Sequence, residues 1–271
     1  MKKIRALIFT IIASVCAVSV CGCYLFSEQN NGTPVSDYKS ETEISADSLM
    51  NVRSAIREFN ISIDTQYYNT SMGWFPRLQG TSLGSGVVFE EDETYYYALT
   101  NNHVITDVMN GKKYTVAYTV TDIYGTEYKN VSVVDSDGDD NDVAIIKFAK
   151  KANATYVLPK VNYTARKDTN MVPGEFVLAV GNPSGVNNIV TYGEMIGWAQ
   201  IGNVSYNVLN HNALINPGNS GGALCDIDGN LLGLNTWGSE NTDDDNYCIS
   251  LKQLNEFIDA FHASQSLNNA A

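Results

Sequence analysis

The spacing of apolar positions changes three times along the chain, and each change marks a boundary. Residues 6–20 form an almost unbroken apolar run behind the basic opening Met1-Lys2-Lys3-Ile4-Arg5. The run is short for a membrane span, which needs about 20 residues, and fits the apolar core of a leader sequence. Residues 24–45 are rich in Ser, Glu, Thr and Asn with little apolar content, which predicts a flexible tether. Apolar positions then fall at Leu49, Val52 and Ile56, a helical spacing through about Phe59, with Ser45 or Asp47 placed to cap it. Beyond this the period shortens to two. Runs rich in β-branched and aromatic residues at 60–63, 86–89, 95–100, 114–120, 131–134, 142–148, 175–180, 189–198, 223–226 and 230–236 predict strands. Asp228-Gly229 reads as a hairpin turn. A helical period returns over 252–264 with Leu254, Phe257, Ile258 and Phe261.

Many short strands with turns between them, and no strand–helix alternation, predict an all-β fold of two six-stranded antiparallel barrels. Barrel one spans about 60–155 and barrel two about 173–250, split near 155–172, with a short N-terminal helix and a C-terminal helix. The folded domain is placed at 46–271.

Charge narrows the function. Seventeen Lys and Arg face thirty Asp and Glu, a net charge of −13, with acidic clusters at 90–93, 135–142 and 240–245 that read as solvated turns. No basic footprint exists for nucleic acid. Asp135, Asp137 and Asp139 are spaced like calcium ligands, but the twelve-residue loop and its terminal Glu are missing. No Cys/His cluster suits zinc, so neither metal nor cofactor is expected.

Chemistry concentrates at Pro217-Gly218-Asn219-Ser220-Gly221-Gly222, a glycine-rich turn presenting one hydroxyl. Such a turn exposes Oγ while neighbouring backbone N–H groups converge on one spot, the arrangement needed to attack a carbonyl and hold the resulting oxyanion. A serine needs a general base. Of three histidines, His103 ends an apolar strand, His211 lies in a polar loop region, and His262 sits on the C-terminal helical pattern. His262 reads as a surface or core residue, and so does His211 unless it lines a groove. Asp142, at the mouth of the apolar strand 142–148, is partly desolvated there and needs a partner.

The order His103, Asp142, Ser220, together with the blocks ALTNNHVI, NDVAIIKF, GNPSGV and NPGNSGGAL…GNLLGLNTWG, resembles the HtrA/Deg branch of the chymotrypsin-like serine proteases. These blocks cover about residues 84–238. The resemblance implies a double Greek-key barrel and polypeptide substrates. It makes Ser220 the nucleophile, His103 the general base and acid, Asp142 the orienting carboxylate, and the N–H groups of Gly218 and Ser220 the oxyanion hole. It also implies that Thr236 lies near the triad carboxylate, that Trp237 and Gly238 shape the substrate pocket, and that Leu214 forms its base. Without a carboxylate at 214, cleavage after an apolar aliphatic P1 residue is expected rather than after Lys or Arg. A homotrimer is the assembly implied.

Three departures from known patterns matter. Asn219 stands where digestive proteases place an aspartate, so activation by a freed N-terminus is not expected. His211-Asn212 replaces an expected Thr-Asp pair, which bears on substrate preference. Only twenty residues follow Leu251, and no PDZ domain is expected after the protease unit.

Val20-Cys21-Gly22-Cys23 resembles a bacterial lipobox in which Cys23 carries the lipid. Residues 1–23 would then be a lipoprotein-type signal, with the mature protein outside the cytoplasm and anchored to the cell membrane. A plain cleaved signal, giving a secreted protein, and an uncleaved anchor are the alternatives. Cys225 and Cys248 fall in strands of the second barrel; buried free thiols are expected, with a disulfide as the alternative. The whole reading is a serine endopeptidase acting on extracytoplasmic proteins. Its alternative is a catalytically silent chaperone or binding protein on the same fold. An esterase of the α/β-hydrolase type is excluded by the order of the three residues.

Overall fold

The computed structural model describes residues 44–70, 75–138, 141–152, 154–202, 204–238 and 246–269. The expected leader, its Cys23 and nearly all of the tether lie outside the described residues, as do Asp139, Asp140 and the acidic stretch 239–245.

Helix α1 (Ala46–Glu58) begins as its sequence dictates: the Ser45 side chain accepts the Ser48 N–H, and Val52 and Ile56 are the buried stripe. It leads into β1 (Asn60–Asn69), followed by β2 (Arg77–Glu91), β3 (Tyr95–Asn101) and a single helical turn, α2 (Asn102–Ile105). A small β4–β5 hairpin (Val108–Met109 and Lys112–Lys113) precedes β6 (Thr115–Thr121), β7 (Glu127–Tyr128), β8 (Val131–Ser136) and β9 (Val143–Ala149). Except for the hairpin, these strands form one sheet in the order β7-β6-β1-β2-β3-β9-β8. Ile61, Ile63, Val87, Leu99, Ile145, Ile146 and Phe148 are all buried, with less than 2% exposure each.

The second half is a closed six-stranded barrel: β10 (Phe176–Gly181), β11 (Ile189–Ala199), β12 (Val208–His211), β15 (Asn246–Ser250), β14 (Leu231–Gly238) and β13 (Ala223–Cys225). Helix α3 (Leu251–Asn269) follows β15 directly and buries Leu254, Ile258 and Phe261. The mostly-β organisation with terminal helices is as the sequence predicts, and the first half differs in detail. It has seven strands and is a curled half-barrel, with no ladder joining β7 to β8 among the described residues. β8 is half-buried to exposed throughout, and a bulge between Val133 and Asp135 shifts its register against β9. β12 also departs from expectation. It puts His211 on a barrel strand with no exposure, not in a polar loop.

The segment between the halves is stapled down by one buried ion cluster. Arg166 donates to Glu175 Oε1 at 2.6 Å, to Glu175 Oε2 at 2.9 Å and to Asp226 Oδ2 at 2.8 Å. Asn170 adds its carbonyl and side-chain oxygens. Removing the guanidinium leaves two carboxylates, each about 5% exposed, without their cation. Arg166→Met is therefore expected to cost about 3–5 kcal/mol of unfolding free energy, read as a lower urea midpoint.

Candidate active site

The first barrel contributes His103 and Asp142. The chain leaves β3 at Asn101 and turns once through α2, which projects His103 from the barrel rim. Its ring Nδ1 lies 2.7 Å from Asp142 Oδ2, while its backbone N–H donates to Asp142 Oδ1 at 2.9 Å. One carboxylate thus grips the same residue twice. Asp142 takes a left-handed conformation (φ 59°), which an L residue adopts only at a cost. Two bonds to its carbonyl hold it there, from Asn102 N and Asn101 Nδ2, both at 3.0 Å. The carboxyl side chain is only 13% exposed, whereas His103 is 47% exposed and faces the open seam.

Ser220 comes from the second barrel, on the loop between β12 and β13. The turn 216–219 is closed by Asn219 N–H donating to Asn216 O at 2.9 Å, with Gly218 at φ +106°, the geometry of a type II turn that needs glycine. Pro217 O accepts from Ser184 N at 3.0 Å. In a trans peptide the N–H points opposite to the C=O, so the Gly218 N–H is turned away from Ser184. Neither it nor the Ser220 N–H finds an acceptor among the described residues. Two donors that flank one hydroxyl and remain unspent can stabilise a developing oxyanion.

Polar residues buried at the seam fix this loop against the first barrel. Ser85, fully buried on β2, donates its Oγ to Gly218 O at 2.7 Å and its N–H to Ser220 O at 2.8 Å. Asn182 Nδ2 and N both donate to that same Oγ. Gly221 N–H reaches Asn235 O at 2.8 Å. A side chain at 221 has no room, since its Cβ would stand 2.2 Å from Ser85 O. Asn219 is buried and uncharged, so it demands no counter-ion.

The structure brings His103 and Asp142 into direct contact and stitches the Ser220 loop to the same seam. It does not join Ser220 to His103: the serine Oγ donates only a long bond, 3.5 Å, to Thr236 O. Thr236 in turn is linked to the carboxylate's residue through Asn101, whose Nδ2 donates to both Thr236 Oγ1 and Asp142 O at 3.0 Å. Turning Ser220 χ1 from one staggered well to the next swings Oγ by roughly 2.5 Å without moving the backbone.

Around Gly238 the packing is close. A Cβ there would meet Asn246 Oδ1 at 3.2 Å and Ile215 Cγ1 at 3.3 Å. Trp237 packs half-buried beside it, and Leu214 is 42% exposed with its carbonyl held by Thr191 Oγ1. Sequence reasoning missed Asn101, Ser85, Asn182, Asn235 and Asn246. Ser85, Asn182 and Asn235 carry one signal, a Ser or Asn inside an apolar strand or beside a glycine; Asn101 and Asn246 carry none.

His211 takes no part in this seam. Its Nε2 lies 3.3 Å from Cys248 Sγ, which also reaches Asn235 Oδ1 at 3.1 Å, and its Nδ1 faces the Ala213 backbone without a full hydrogen bond. Cys225 and Cys248 are both free and buried, the thiol form favoured by loss of hydration. Burial pushes the His211 pKa from 6.5 down to about 3, so the ring is neutral in the folded protein. The unfolded chain gains a proton below pH 6.5 that the folded chain refuses. Stability from this residue is therefore full above pH 6.5 and is lost as pH falls towards 3, by about 1.4 kcal/mol per pH unit. Urea midpoints at pH 7.5, 5.5 and 4.5 are expected to show this acid loss in the wild type. It should be much reduced in His211→Gln, the difference between the two cancelling the contributions of the carboxylates.

Residues 84–234 match the trypsin-like peptidase domain family. The chain is 32% identical over 221 residues to the serine endoprotease DegS of Escherichia coli K12, covering 78% of this chain and 54% of that protein. It is 30% identical over 200 residues to the serine protease HTRA1 of Xenopus tropicalis (71% of this chain, 39% of that protein). A probable periplasmic DegP-like serine endoprotease of Buchnera aphidicola is 36% identical over 158 residues (57% and 30%). The aligned part thus spans between 30 and 54% of these relatives' own lengths.

Proposed function

This chain belongs to the trypsin-like peptidases of the HtrA/Deg family, and on that premise we propose that it is a serine endopeptidase of extracytoplasmic polypeptides. The observation that carries the reading is the 2.7 Å contact of His103 Nδ1 with Asp142 Oδ2. It puts the proton on Nδ1 and leaves Nε2 as the base. Substrate binding brings Ser220 Oγ round to that nitrogen. His103 takes the hydroxyl proton as Oγ adds to the scissile carbonyl, and Asp142 stabilises the imidazolium formed. The oxyanion accepts from Gly218 and Ser220 N–H. Collapse expels the amine, protonated by His103, and leaves an acyl-enzyme on Ser220. Water, deprotonated by the same ring, then hydrolyses the ester.

The substrate runs extended along the end of β14, pairing with its backbone as an added strand. The P1 side chain lies beside Gly238, where it meets Ile215, Leu214 and Trp237. That lining, with no carboxylate among these residues, favours a branched or short aliphatic P1 residue. Mass-spectrometric profiling of new N-termini in a digested proteome tests both points. Cleavage after Val, Leu, Ile or Ala is expected; a preference for Lys or Arg would contradict the pocket assignment.

The expected lipid anchor at Cys23, a homotrimeric assembly and an extracytoplasmic location accompany this proposal. The Buchnera relative, a probable periplasmic endoprotease, supports the location. A second reading, a silent relative that binds polypeptides, rests on the Ser220 Oγ facing Thr236 O instead of His103. In the same profiling experiment, the silent reading predicts no new N-termini at all.

A further inference from the structure

The catalytic reading leaves one contact at the seam without a role. Tyr206 belongs to the segment linking β11 to β12 in the second barrel. Its hydroxyl donates to the carbonyl of Asn141 in the first barrel at 3.0 Å. Asn141 immediately precedes Asp142, so the peptide group held by Tyr206 is the one whose rotation sets the Asp142 φ of 59°. The next peptide group is already fixed on the first-barrel side. Asp142 O takes Asn102 N and Asn101 Nδ2, and Val143 N–H donates to Asp137 Oδ1 at 3.0 Å. Tyr206 supplies the only second-barrel hydrogen bond to the 141–142 backbone among the described residues.

Resting on the triad reading, we propose that Tyr206 is a positioning residue: its hydroxyl locks the 141–142 peptide from across the seam and thereby aims the Asp142 carboxylate at His103. A left-handed aspartate relaxes towards ordinary φ unless both flanking peptides are pinned, and the carboxylate moves with the backbone. The phenol is suited to the task. Burial, with the charges of Asp142 and Asp137 nearby, raises its pKa, so it remains a donor at every working pH. Its ring packs half-buried against the core and lines a cavity with Trp198 and Asp168, so the ring itself is anchored independently of the hydroxyl.

Tyr206→Phe removes the hydroxyl and keeps that ring. Its kcat on a peptide substrate is expected to fall about 10- to 100-fold, the scale of a small misplacement of a catalytic group, with KM unchanged. A readout independent of turnover is the long-range proton–nitrogen correlation spectrum of the three histidines, assigned with His103→Ala. In Tyr206→Phe the His103 Nδ1 signal is expected to shift, with those of His211 and His262 unmoved. Unchanged His103 signals, or a kcat equal to wild type below the melting temperature, would overturn the proposal. A wild type that hydrolyses nothing would sink the triad reading instead, and the spectrum would still decide whether Tyr206 aims Asp142.

Discussion

Ser220→Ala is expected to lower kcat for peptide hydrolysis by about 10⁶-fold, the scale seen when the nucleophile of such a triad is removed, while leaving the melting temperature almost unmoved. The two halves of this expectation come from different atoms of the same residue. Every strong contact that holds the loop uses backbone: Ser85 N–H on Ser220 O, Ser85 Oγ on Gly218 O, and Gly221 N–H on Asn235 O. The hydroxyl itself makes only the 3.5 Å contact with Thr236 O. Losing it removes the attacking atom and almost nothing that stabilises the fold. A variant that lost activity together with several degrees of melting temperature would mean that the hydroxyl is structural.

Asp142→Asn is the second large effect, about 10⁴-fold in kcat with binding retained. The carboxylate accepts from the His103 backbone N–H on one oxygen and from ring Nδ1 on the other. An asparagine keeps one oxygen for the backbone N–H and must then turn its amide group to the ring. Facing a donor, Nδ1 becomes an acceptor and the ring proton moves to Nε2, where it points at the nucleophile instead of receiving its proton. Steady-state kinetics check this directly, with kcat collapsing and KM within a few-fold of wild type. Because the flanking bonds to the Asp142 carbonyl use its backbone, the loop geometry should survive the change.

How far the sequence reached can be judged from single residues. His103, Asp142 and Ser220 stand out as candidates in the sequence because each falls in a recognisable block, an apolar strand end or a glycine-rich turn, and because their order is not that of the α/β-hydrolases. Helix α1 was legible down to its cap, since Ser45 followed by apolar positions three and four apart leaves little choice. The seam that holds the Ser220 loop against the first-half sheet was not legible. Ser85, Asn182 and Asn235 are polar residues within or beside apolar strands, and their burial depends on a barrel–barrel contact that no local pattern encodes. His211 misled for the same reason. β12 has four residues, and flanking asparagines disguise a strand whose ring points inward among Cys248 and its neighbours. The open edge of the first sheet likewise depends on which strands pair over long range, an outcome that no local pattern encodes.

The central claim is that an imidazole oriented by Asp142 makes the oxygen of residue 220 nucleophilic at neutral pH. Titrating the folded protein with diisopropyl fluorophosphate and mapping the adduct by peptide mass tests it most directly. One equivalent bound on Ser220 in the wild type, with the rate reduced at least a thousandfold in His103→Ala, is the predicted result. A folded wild type that takes up no phosphoryl group, or takes it up at Ser220 equally fast without His103, would contradict it.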